Sequence, residues 1–172
     1  MSVEQILALA RQRPILIIAC SEKKNQAPPG DVLLGHEIYK GRAWQVYRAW
    51  RGALAGPDGP LGRRDFVWPV EVWAMSGKFG LVPELAAIPD YNQRVPTDDP
   101  AYRSLLASQV TRLRPSWAGR PIVFVGSKVY AKELRHAKLQ FEQLSWRCGS
   151  GGAGWGCLGQ NLARWLEGQA RR

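Results

Sequence analysis

Histidine, cysteine and acid are all scarce in this chain. It has two histidines and three cysteines in 172 residues. With no Cys-x-x-Cys pair, nothing has the spacing of a zinc site, so neither a structural metal nor a cofactor is expected. Cys20, Cys148 and Cys157 are odd in number and irregular in spacing. That argues against a disulfide framework and for reduced thiols in a cytoplasmic protein. No apolar run approaches about 18 residues, so no membrane span is expected. The N-terminus lacks the basic region and apolar core of a signal peptide. Asp and Glu number 14 against 24 Lys and Arg, for a net charge of +10 and a pI near 10. Such an excess suits a polyanionic partner, nucleic acid or nucleotide. Eight tryptophans are spread along the whole chain; most belong in a core, and one or two near a basic rim could stack on bases.

The organising stretch is Ile15-Leu16-Ile17-Ile18-Ala19, which follows Pro14 and turns abruptly into Cys20-Ser21-Glu22-Lys23-Lys24. A short, continuous, β-branched run predicts a strand buried on both faces, as in a parallel sheet. The pattern recurs at residues 70–75, running into Ser76-Gly77-Lys78-Phe79-Gly80, and at 121–125, running into Gly126-Ser127-Lys128. Each run ends in a small hydroxyl residue and a lysine. If the strands are parallel neighbours, Ser21, Lys24, Ser76, Lys78, Ser127 and Lys128 gather at one rim, where open α/β sheets bind ligands. Hydroxyls, exposed N–H groups and ammonium charges together suit phosphate or carboxylate.

Between these runs the spacing predicts helices over 3–12 and 37–54. Another starts at Pro100 behind an Asp99 cap, one follows a Ser127 cap, and a last one holds Leu158, Leu162, Trp165 and Leu166. Residues 139–144 alternate apolar and polar, as an edge strand does. The expectation is therefore one α/β domain spanning 1–172, a three-layer sandwich with a mainly parallel central sheet of about four strands. Three loops remain: 25–36, long enough to act as a lid; 82–98, irregular and therefore treated as functional; and a Gly-rich stretch at 149–156. The last matches neither the P-loop nor the dinucleotide fingerprint.

With these residues placed, the chain resembles a small bacterial and phage family similar to the peroxide-stress protein YaaA. The matching motifs, in order, are Cys20-Ser21-Glu22-Lys23-Lys24, Ile38-Tyr39-Lys40-Gly41, Ser76-Gly77-Lys78-Phe79-Gly80-Leu81, Pro89-Asp90-Tyr91 and Gly156–Trp165. Trp44 stands where that family has Phe, Phe79 where it has Tyr, and Pro-Asp-Tyr where it has Pro-Tyr-Asp. More distantly, the chain is similar to the catalytic domain of archaeosine synthase. There the lysine of a Pro-Cys-x-x-x-Lys motif attacks a modified base in tRNA; Cys20 and Lys24 have that spacing, with Ala19 in place of the proline. That resemblance implies a fold like the uracil-DNA glycosylase superfamily.

Two functions follow. The first is a nucleic-acid- or nucleotide-directed enzyme: a glycosylase, transferase or base-modifying activity. Lys24 would be its nucleophile or electrostatic catalyst, made reactive by crowding from Lys23, Lys78 and Lys128. Asp90 or Glu22 would be the acid/base. Tyr39 and Tyr91 would hold the substrate, and Ser21 and Ser76 an oxyanion or phosphate. The alternative is a non-catalytic basic nucleic-acid-binding protein, which the charge alone supports. Cys20 adds a third reading, a nucleophilic or redox thiol favoured as thiolate by nearby lysines, against a small buried packing residue.

Overall fold

A computed structural model of the chain describes residues 2–21, 24–25, 32–55, 68–89, 91, 93–144 and 154–170. Among these residues five strands form one sheet in the order β4-β3-β1-β6-β7. They are β1 (Ile15–Ala19), β3 (Glu71–Ser76), β4 (Gly80–Pro83), β6 (Ile122–Val125) and β7 (Glu142–Gln143). β1 lies at the centre, parallel to β3 on one side and β6 on the other, so that Ile17 is flanked by Trp73 and Phe124. β7 is parallel to β6, and only β4 runs antiparallel, against β3. The protein is thus α/β with a mostly parallel sheet, and the three apolar runs are its inner strands.

All five side chains of β1 are buried, which requires cover on both faces. The helices are α1 (Val3–Gln12), the single turn α2 (Gly35–Ile38), α3 (Arg42–Ala55), α4 (Pro100–Trp117), α5 (Lys128–His136) and α6 (Trp155–Ala170). β1 leads through α3 to β3, β3 through α4 back across to β6, and β6 through α5 to β7. The first crossover runs in one direction along the sheet and the other two in the opposite one. Right-handed crossovers therefore put α3 on one face and α4 and α5 on the other. The helix contacts agree: α3 packs on α6, and α4 on α5. The predicted caps are formed. The Asp99 carboxylate accepts the Tyr102 N–H at 3.0 Å, and the Ser127 hydroxyl accepts that of Tyr130 at 3.3 Å.

Three expectations are corrected. The helix over 37–54 is two helices, because Tyr39 leaves the helical path to form a β-bridge with Lys24. The sheet has five strands, since Gly77–Phe79 make a tight turn that returns the chain as β4 beside β3. Residues 82–98 are only partly irregular. β5 (Ala87–Ile88) pairs antiparallel with β2 (Leu33–Leu34) as a separate ribbon. Two-residue strands lack the length to show a period.

Candidate functional site

Adjacent parallel strands whose connections leave toward opposite faces open a crevice at their C-terminal ends. β1 and β6 are such a pair, because β1 feeds α3 on one face and β6 feeds α5 on the other. A cavity of about 580 Å³ lies there. Ala19, Cys20 and Ser21 line it from the end of β1, and Val125, Ser127 and Tyr130 from β6 and α5. Lys40, Gly41, Arg42, Ala43 and Trp44 line it from the start of α3, and Arg94 from the segment after β5.

Local chemistry builds each wall. Trp44 is fully buried, and its indole N–H donates to the Ala19 carbonyl at 2.9 Å, fixing α3 to the end of β1. Gly41 makes this approach possible: a Cβ there would stand 2.8 Å from Cβ of Ser21. The start of α3 thus reaches the cavity flanked by Lys40 and Arg42, both exposed. Ser127 caps α5 and brings a second helix N-terminus to the same crevice. Both helix starts add positive potential to the three cations Lys40, Arg42 and Arg94. No carboxylate and no imidazole are among the described lining residues.

Cys20 is a free thiol at the cavity floor, 9% exposed. Burial raises its pKa, and N–H groups of Gly77 and Val95 and the charge of Lys24 only partly offset this. A thiol shifted in this direction is disfavoured as thiolate, the opposite of the activation expected from nearby lysines. Cys157 is disulfide-bonded, which corrects the expectation that all three thiols are reduced.

The predicted rim divides into two places. Ser21 and Ser127 line the cavity; Ser76, Lys24, Lys78 and Lys128 do not. Ser76 is fully buried beneath the β3–β4 turn. Its hydroxyl accepts the N–H groups of Lys78 at 3.2 Å and Phe79 at 3.1 Å and donates to the Tyr91 hydroxyl at 2.9 Å. Tyr91 in turn shares a 2.7 Å hydrogen bond with the Tyr39 hydroxyl. Burial raises the pKa of both phenols. Tyr39 and Tyr91, expected to hold substrate, spend their hydroxyls on each other and on Ser76. The Lys24 ammonium sits 4.5 Å above the Tyr91 ring, and that of Lys78 lies 5.3 Å from the Phe79 ring centre. Lys78 and Lys128 are exposed. Asp90, Glu22 and Lys23, with most of the 25–36 and 149–156 loops, lie outside the described residues.

Lys40, Arg42, Arg94 and Tyr130 are not among the site residues expected from sequence. Arg42 lies on the basic face of the 37–54 segment, a face that could meet phosphates, and the Lys-Gly-Arg triplet beside it marks the break between two helices. Arg94 lies in the 82–98 segment treated as functional, but only tertiary contact brings it to the end of β1. Among the described residues no group of His, Cys, Asp or Glu is arranged to hold a metal, and no helix is long and apolar enough to cross a membrane. No protein-family model, curated protein or solved structure matches the chain.

Proposed function

We propose that the crevice between β1 and β6 binds the phosphate of a nucleotide or of nucleic acid, and that this is the protein's central activity. The observation that carries the reading is the cavity's lining: Lys40, Arg42 and Arg94, the Ser21 and Ser127 hydroxyls and the starts of α3 and α5, with no carboxylate among the described lining residues. The exposed side chains of Lys40 and Arg42 offer charge-assisted hydrogen bonds to an anionic ligand seated between the two helix starts. The phosphate would lie against Ser21, Lys40, Arg42 and Arg94. The cavity is large enough for the attached nucleoside, and Tyr130 and the apolar floor of Ala19 and Val125 would receive its base.

Binding has more support than catalysis. The described lining offers no carboxylate or imidazole as an acid/base group, and burial raises the pKa of Cys20. The enzyme reading, with Lys24 attacking a base, rests on the resemblance to YaaA-like proteins and the glycosylase-type sandwich, and belongs to this proposal as its second form. Calorimetric titration with a nucleoside monophosphate and with a short single-stranded oligonucleotide tests the primary reading. Binding is expected at low salt and should weaken as salt rises. Arg42→Ala and Lys40→Ala should each weaken it by about tenfold or more, the worth of a charge-assisted hydrogen bond. A protein that binds neither ligand at low ionic strength would overturn the proposal.

A further inference from the structure

Arg94 reaches the crevice from a segment that belongs to neither neighbouring strand. The turn after β3 explains how that segment is held. Gly77 sits against the backbone carbonyls of Gln93 and Arg94: a Cβ on Gly77 would stand 2.3 Å from the Arg94 carbonyl carbon, 2.4 Å from its oxygen and 2.6 Å from the Gln93 oxygen. The obstacle is backbone, which cannot rotate aside. Gly77 is not among the glycines of positive φ, so alanine is conformationally allowed there and only the contact forbids it. Beside this notch, the Tyr91 hydroxyl is tied to Ser76 and Tyr39, and the Val95 N–H is directed at the Cys20 sulfur. The segment is thus held at both ends and pressed between them into a space that only glycine leaves open.

We infer that the Gly77 notch and the Ser76–Tyr91–Tyr39 hydrogen bonds form a clamp that sets Arg94 in the crevice, making Arg94 a phosphate-binding residue and Gly77 and Tyr91 its positioning residues. This rests on the crevice being a phosphate site. Ordinary van der Waals contact begins near 3.4 Å, so a methyl group at Gly77 requires the peptide to retreat by about 1 Å. A shift of that size carries a guanidinium out of a hydrogen-bonding position, because such bonds weaken steeply beyond their narrow distance range. The same retreat withdraws the Val95 N–H from Cys20 and uncovers its thiol.

Two readouts on Gly77→Ala and Tyr91→Phe test the clamp: the rate of iodoacetamide alkylation at Cys20, mapped by mass spectrometry, and the affinity for a nucleoside monophosphate. The first needs no ligand. Both variants should label Cys20 faster, about tenfold for Gly77→Ala, and both should bind the nucleotide more weakly. Arg94→Ala should lose affinity by at least as much as Gly77→Ala. If Gly77→Ala does not fold, Tyr91→Phe, which deletes one oxygen, carries the test. Unchanged labelling in the folded variants overturns the clamp. Faster labelling with wild-type affinity overturns the assignment of Arg94. A wild type that binds neither the nucleoside monophosphate nor a short oligonucleotide sinks the crevice reading itself and the role of Arg94 with it, while labelling still decides whether the clamp exists.

Discussion

Replacing Ser76 with alanine removes a single oxygen from a fully buried site and breaks three hydrogen bonds at once. The N–H groups of Lys78 and Phe79 lose their acceptor, and the Tyr91 hydroxyl loses its donor. These losses differ in weight. Lys78 is exposed and Phe79 half-buried, so water can reach the turn, and each N–H costs about 0.5–1 kcal/mol. The Tyr91 hydroxyl keeps Tyr39 as its partner but is buried, and its lost bond is worth about 1 kcal/mol. The sum is about 2–3 kcal/mol. For a chain of this size that lowers Tm by roughly 4–12 °C, at about 2–4 °C per kcal/mol. Urea unfolding followed by tryptophan fluorescence measures it, with the m-value checking that the unfolded state is unchanged. A double-mutant cycle with Tyr91→Phe should return a coupling of at least about 0.5 kcal/mol. A loss below about 0.5 kcal/mol at constant m would show that the turn and the Tyr91 segment are not held through this hydroxyl.

Other outcomes are equally direct. The Glu133 carboxylate is fully buried and bonded to Arg103, which holds its pKa below the ordinary 4.5. Its stabilisation is present above about pH 4.5 and lost as pH falls through the lowered folded value; Glu133→Gln should flatten that acid limb in a pH series of urea midpoints. Gly41→Ala places a methyl group 2.8 Å from Cβ of Ser21. It should cost about 1–3 kcal/mol as overpacking and weaken nucleotide binding by calorimetry. Trp44→Phe removes the indole N–H that meets the Ala19 carbonyl and should lower stability by about 1–2 kcal/mol in thermal melts.

Much of the architecture is legible without coordinates because it is written in local patterns. Three β-branched runs separated by helix-length segments specify a mainly parallel sheet, since strands buried on both faces must be apolar throughout. Asp99-Pro100 and Ser127 mark helix starts because capping is a contact within four residues. Ser21 and Ser127 are placed at the cavity on the same ground, each two residues past a strand. The net charge of +10 is read from composition alone, without saying where the charge is concentrated.

What only the tertiary structure decided is which strand ends share a crevice. Ser21 and Ser127 stand two residues past their strands and Ser76 ends its own, and this local placement does not say which of them reach the crevice. The strand order does: β1 and β6 are neighbours whose helices depart to opposite faces, so a cavity opens between them. The connection after β3 folds back as β4, and its serine is buried under the turn. Long-range contact likewise assigns the cations. Lys24 is drawn onto the Tyr91 ring by its bridge to Tyr39, whereas Arg94 arrives from far along the chain because Gly77 leaves room for its backbone. Sequence patterns carry information over the length of one element, and side chains meet across a sheet edge only after that edge exists.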